Sequence, residues 1–213
     1  MINRQLQLIA PFEAYLASAP LIDVEHAAIQ EFVATRPQGA KTDEQVAHET
    51  FRFVRDEIKH SWDVLDPRVT AKASEVLELG VGICYAKSHL LAALLRAYGI
   101  PSGLCYQRLT LGDTPESGFC IHGLNSVYLA SHNRWIRLDS RGNKPGVDAQ
   151  FSIDTEHLAF EVREELGEMD YLINFASPHP SIVTTLASSS DAIAMCNYAL
   201  PTHLDLTVLT AEH

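Results

Sequence analysis

Between Cys84 and Tyr98 the chain is almost continuously apolar, with only Lys87, Ser88, His89 and Arg96 strongly polar. Too little polar surface remains for a solvent face, so the pattern predicts a helix buried over most of its circumference. Gly99 and Pro101 supply its stop: the first accepts left-handed backbone, and the second cannot continue a helix. The chain is expected to begin with helical material. Asp23 can cap a helix through Val24, Ala27, Ala28, Ile29, Phe32 and Val33 that ends near Arg36-Pro37-Gln38-Gly39. Thr42 with Gln45 makes a capping box for a second helix, carried on by Val46, Phe51, Phe53, Val54 and Ile58 at helical spacing. Lys59 to Pro67 breaks that period and reads as a loop holding His60, Trp62, Asp63 and Asp66. A short helix over Ser74 to Glu78 then delivers the chain to Gly80.

After Pro101 the period changes from helix to strand. Gly103 to Leu111 alternates loosely, Gly112 to Gly118 is a polar loop, and Phe119 to Ala130 and Arg134 to Asp139 form two further strands. In the last of these Trp135, Arg137 and Asp139 share one face, while Ile136 and Leu138 share the other. Beyond Lys144 the pattern weakens. Asp148 to Ile153 and Leu158 to Val162 are candidate strands, Arg163 to Asp170 is a mainly acidic run expected to face solvent, and Ser181 to Leu186 is helix-like. Asp191 can cap a last helix through Cys196. We expect one domain over 1–213, with a core at about 42–144 and the N-terminal helices 1–41 and the segment 145–213 packed on it.

The chain of 213 residues has a formal net charge of −11. That balance argues against nucleic acid or an anionic membrane as partner, since both would repel it. Cysteines at 84, 105, 120 and 196 show neither a C-x₂-C pair nor a dense framework, so they read as reduced thiols rather than a zinc site or a disulfide scaffold. The first thirteen residues lack a long apolar run, and no membrane-length segment follows, which makes cytoplasmic the expected location.

Gly80 and Gly82 precede Cys84, which opens the apolar helix. A thiol at a helix N-terminus faces unpaired backbone N–H groups and the positive end of the dipole, which favours the thiolate. The same N–H groups can hold the oxygen that becomes negative when a thiolate attacks a carbonyl. The alternative is a buried cysteine acting as a small hydrophobe. Two strands downstream make the first reading more specific. If their turn is centred between Ser131 and His132, Leu124 faces Asp139, and His122 is a diagonal neighbour of Asp139 on the same sheet face, roughly 7–8 Å away and within side-chain reach. A one-residue slip would send the two side chains to opposite faces. Cys84, His122 and Asp139 then form a nucleophile, a base and an acid that orients the base. Trp62 could wall the cleft or help an oxyanion, or it could pack on the core while Asp63 and Asp66 cap turns. A metal at His60, Asp63 and Asp66, or at Cys84, Cys105, Cys120 and His122, has no recognised ligand spacing. His26 and His48 are expected to be solvent-facing or structural, and His157, His179 and His203 have no visible catalytic companions.

Gly80-Val81-Gly82-Ile83-Cys84, the helix ending Leu94-Leu95-Arg96-Ala97-Tyr98-Gly99-Ile100-Pro101, His122 on a strand and Asn133-Arg134-Trp135-Ile136-Arg137-Leu138-Asp139 together resemble the transglutaminase-like (papain-like thiol) superfamily, in its bacterial stand-alone form. The resemblance covers about Thr42 to Lys144. It implies an α+β fold in which a central helix carrying the cysteine packs on an antiparallel sheet that brings the histidine and aspartate. It implies amide chemistry through a thioester, with Cys84, His122 and Asp139 as catalytic residues and no cofactor. Many members have Trp after the cysteine and Ala-Trp after the histidine. Here Tyr85 follows Cys84, and Gly123-Leu124 follows His122. Trp62 and Tyr85 are the candidates for an oxyanion or cleft position.

The expected function is therefore a cysteine enzyme acting on peptide or glutamine amides, hydrolytic (peptidase or deamidase) with amine transfer open to it. Its partner would be a peptide or protein substrate. The alternative is a peptide-binding module that keeps the fold without the chemistry.

Overall fold

A computed structural model of the chain describes residues 5–36, 39 and 42–207. In order the elements are β1 (Gln7–Leu8), α1 (Ala27–Thr35), α2 (Asp43–Asp56), β2 (Lys59–His60), α3 (Ser61–Val64), α4 (Ala73–Leu79), β3 (Val81–Gly82), α5 (Cys84–Ala97), β4 (Ser102–Thr110), β5 (Phe119–Leu129), β6 (Arg134–Leu138), β7 (Met169–Asp170), β8 (Ile173–Asn174), α6 (Pro180–Ser188) and α7 (Ala192–Tyr198). The result is the expected α+β arrangement.

Helix α5 is the centre of the core. Every residue from Tyr85 to Arg96 is buried, and Leu90, Leu91, Leu94 and Leu95 are fully enclosed, each contributing about 1.5–3 kcal/mol by leaving water. It contacts α1, α2 and α4 among the helices and β4 and β5 of the sheet. Its polar residues are buried as well, which is tolerable because they find backbone partners. His89 Nδ1 meets the Ala71 carbonyl at 2.8 Å, Lys87 donates to the carbonyl of Ile58 at 2.5 Å, and Arg96 donates to those of Ala17, Ser102 and Ala176. Gly99 (φ +75°) reverses the chain after the helix.

The main sheet has the order β6-β5-β4-β7. Strands β5 and β6 pair antiparallel with Leu129 opposite Arg134 and Asn125 opposite Leu138. Continued by one residue, that register sets Leu124 opposite Asp139, as the turn-centred count requires. Ile136 and Leu138 join the main core, whereas Leu124 and Trp135 pack with Cys105 and Leu6 in a second, smaller cluster.

Helix α2 carries the expected capping box, with Thr42 and Gln45 bonded reciprocally. Helix α1 differs from expectation at its start. Its cap is His26, whose Nδ1 accepts from the Ala28 N–H, while Asp23 instead accepts from the backbone and hydroxyl of Ser74. Pro37 and Gln38 of the expected stop lie outside the described residues. The chain also opens on a strand rather than helix: β1 pairs in parallel with β8. Lys59 to Pro67 is not all loop, because β2 pairs in parallel with β3 and runs into the single turn of α3. Two-residue strands carry no readable period.

The C-terminal part departs most from expectation. Asp148 to Ile153 and Leu158 to Val162 form no strands, only a bridge between Gln150 and His157. Side-chain bonds hold this stretch instead, among them Arg55 and Asn143 to the Ala149 carbonyl. The acidic run faces solvent only in part: Glu164 and Glu165 are exposed as expected, while Glu168 and Asp170 anchor it. Glu168 is 4% exposed and gathers Thr110 and Arg163, while Asp170 meets Arg137 at 2.7 Å. Helix α7, capped by Asp191 as expected, packs against α3, and the Pro201 carbonyl accepts from Ile121 on β5. Among the described residues no helix is long and apolar enough to cross a membrane.

Candidate active site

Gly80, in left-handed backbone (φ +67°), ends α4 and turns the chain into β3. At Gly82 a Cβ would stand 3.0 Å from both the Ala86 Cβ and the Thr70 hydroxyl, so any larger residue would have to push one of them aside. Cys84 follows as the first residue of that helix, half-buried and free.

His122 Nε2 lies 2.8 Å from Asp139 Oδ2. Cys84 lines the same cleft as this ring, and with Nε2 taken by Asp139, Nδ1 is the ring nitrogen left for another partner. The structure thus brings the three residues together. Asp139 is completely enclosed, and its two oxygens also accept from the backbone N–H groups of Arg141 (3.1 Å) and Ala159 (3.0 Å). Burial alone would raise its carboxyl, but the His122 charge and these hydrogen bonds hold it below the ordinary carboxylate value. Burial likewise works against the charged imidazole, yet Asp139 and the Cys84 thiol push His122 up to about 10. Phe160 meets the imidazole edge-on at 5.1 Å between ring centroids.

Cys84 and His122 open on a cleft of about 840 Å³, lined also by His60, Trp62, Leu109, Leu111, Phe160 and Leu200. Cys120 and Cys196 line it too, but burial pushes both thiols up to about 12. Cys105 is elsewhere, enclosed between Leu6 and Leu124, so the four-ligand grouping with Cys84, Cys120 and His122 does not form. Among the described residues no group of three His, Cys, Asp or Glu side chains is arranged to hold a metal ion.

Trp62 stands at the cleft wall with 38% of its surface exposed, rather than packed on the core. Tyr85 is placed differently from the cleft position considered for it. Its ring is buried and its hydroxyl donates to the Ile121 carbonyl at 2.5 Å. It lies so close over Gly123 that a Cβ there would be 2.9 Å from its Cδ1. His179 caps α6 by accepting from the Ser181 N–H, and His26 and His48 are exposed.

Sequence reasoning missed the supports of the site. Arg141 grips Asp63 with both guanidinium nitrogens, at 2.6 and 2.9 Å, and Lys144 meets the same carboxylate at 2.7 Å. These bonds fasten α3 to the residues that follow Asp139. Their only sequence signal was that the charged residues sit just after a candidate catalytic acid, with no partner nearby in the chain.

The family model for the transglutaminase-like superfamily matches residues 31–140. Among solved structures, a candidate cysteine protease from Cytophaga hutchinsonii is similar at 15% identity and a TM-score of 0.49, over 66% of this chain and 48% of that one. A protein described as a TGase is similar at 15% identity and a TM-score of 0.39, over 87% of this chain and 52% of that one. A candidate protease from Parabacteroides distasonis is similar at 13% identity and a TM-score of 0.36, over 55% and 25%. The chain therefore spans about half the length of the first and second of these, and a quarter of the third. Comparison with curated proteins gave no match.

Proposed function

Because the chain belongs to the transglutaminase-like superfamily, we propose that it is a thiol enzyme that opens peptide or glutamine amides through a thioester on Cys84. The observation that carries the reading is the buried 2.8 Å contact between His122 and Asp139 beside a cleft that Cys84 also lines. His122 takes the thiol proton, and Asp139 fixes the imidazole tautomer and stabilises its cation. The sulfur attacks the amide carbon. When the tetrahedral intermediate collapses, the C–N bond breaks and the leaving amine or ammonia takes its proton from His122.

The thioester then passes to water or to an amine. Hydrolysis is the expected outcome, since water competes at any open thioester. The apolar side chains of Leu109, Leu111 and Phe160 in the cleft suit an extended peptide as substrate. With Cys120 and Cys196 held as thiols up to about 12, Cys84 is the cleft cysteine poised to react.

The test is mass-spectrometric mapping of limited iodoacetamide labelling across pH, in wild type and His122→Ala. Cys84 should be labelled well before the other three cysteines at neutral pH and below, and the His122 change should remove that preference. Equal, sluggish labelling of all four thiols would overturn the reading and favour a non-catalytic peptide-binding module.

A further inference from the structure

One imidazole in the cleft has no employment in the chemistry above. His60 ends β2, whose pairing sets Lys59 beside Val81 and His60 beside Gly82. Its backbone is therefore fixed alongside the two residues that lead through Ile83 into Cys84. Its side chain lines the same cleft as Cys84 and His122.

The half-buried ring is unlike His89 and His179, the buried histidines outside the site. His89 meets the Ala71 carbonyl, and His179 bonds through both nitrogens, to the Ser181 N–H and the Asp205 carbonyl. Among the described residues His60 Nδ1 is enclosed without a hydrogen-bond partner, and Nε2 has none either but is not among the enclosed atoms. Burial and the Arg141 guanidinium push this ring well below 6.5, with Asp63 opposing, so it is neutral at physiological pH and carries a single ring proton. Buried N–H groups without an acceptor are rarer than buried acceptors without a donor, so the favoured tautomer leaves a bare lone pair at Nδ1 and carries the proton on Nε2, at the cleft. The fold thus holds a neutral donor, without an acceptor of its own, in the space where Cys84 attacks.

Resting on the acyl-transfer reading above, we infer that His60 is the side-chain donor of the oxyanion hole. As the Cys84 sulfur bonds to the carbonyl carbon, the π pair of the C=O moves onto oxygen, and the His60 Nε2–H hydrogen-bonds that oxygen together with backbone N–H groups at the start of α5. No proton leaves His60. The pair returns to re-form the carbonyl as the C–N bond breaks, and the leaving amine is protonated by His122. A neutral imidazole suits this role, because a cationic one would tend to surrender its proton to the intermediate. Trp62, two residues on, walls the cleft instead.

Two reactions of the same sulfur separate this role from a structural one. Alkylation by iodoacetamide displaces iodide and builds no oxyanion, whereas acylation by p-nitrophenyl acetate does. In His60→Ala, acylation of Cys84 should fall by about 10²–10³-fold while the alkylation rate stays as in wild type, and His60→Gln, which keeps an N–H donor, should recover part of the loss. Acylation as fast as wild type in His60→Ala would overturn the inference. So would acylation and alkylation falling by one common factor in both variants, since that marks a residue that only shapes the backbone before Cys84. A wild-type Cys84 that alkylates selectively but is never acylated would instead sink the acyl-transfer reading, and the His60 role with it.

Discussion

Two buried ionic clusters hang from the same face of the β5–β6 hairpin, and they end differently. Arg137 donates to both oxygens of Glu156, at 2.8 and 2.7 Å, and to Asp170 at 2.7 Å; the side chains of all three are at most 4% exposed. Two residues on, just past the end of β6, Asp139 takes His122 and two backbone N–H groups, but His122 opens on a cleft that also holds the Cys84 thiol. The first cluster is closed: every strong donor meets a carboxylate, and its work is to pin residues 156 and 170 to the sheet. The second is left open at one end, so its polarity is available to a bound molecule. The lesson is that burial of charge alone does not mark a reactive site; an unfinished chain of hydrogen bonds that reaches a cavity does.

The largest effect expected from this contrast comes from Asp139→Asn. The variant keeps the shape but loses the anion that orients and charges His122, so the acyl-transfer rate should fall by about 10²–10⁴-fold. Its stability deficit should also depend on pH. Asp139 is lowered from 3.8, so its contribution is present above that value and lost as the pH falls. His122 is raised from 6.5 to about 10, so its contribution is complete below 6.5 and lost as the pH climbs through 10. The difference in melting temperature between wild type and variant should therefore be widest between those two ordinary values, 3.8 and 6.5, and shrink on either side; a flat difference would show that the pair is not ionised as drawn.

Arg137→Ala tests the closed cluster. Removing this guanidinium strips a buried partner from both Glu156 and Asp170, at a cost of about 3–5 kcal/mol in urea unfolding. The rate per folded molecule should change far less than in Asp139→Asn. The smallest effect belongs to Asp63→Asn. Asp63 is 25% exposed and pairs with Arg141 and Lys144 at the cleft rim, so its loss should cost about 1 kcal/mol or less. A loss as large as that of Arg137→Ala would mean that the rim is part of the core.

How far the sequence could be read follows the distance between partners. The hairpin was legible because its turn, its alternation and its pairing are all local, and one count from Ser131–His132 sets Asp139 against Leu124 and hence beside His122. Helix α5 was legible because fourteen successive residues carry one signal. Glu156, Glu168 and Asp170 were not. A carboxylate reads as solvated until its arginine is known, and Arg137 lies 19 and 33 residues away from two of them. In the sequence His60 reads only as a candidate metal ligand, for a related reason: a two-residue strand has no period, and an unpartnered ring nitrogen is visible only in three dimensions.

The contact between Tyr85 and Gly123 links the two departures from the family pattern noted beside Cys84 and His122. Many members carry a larger aromatic after the cysteine and alanine after the histidine, but in this chain even alanine at 123 would press the buried Tyr85 ring at 2.9 Å. The residue after the cysteine and the residue after the histidine are therefore coupled through packing. A side chain at 123 requires the Tyr85 ring to shift, and any such shift is felt by the first turn of the helix that Cys84 opens.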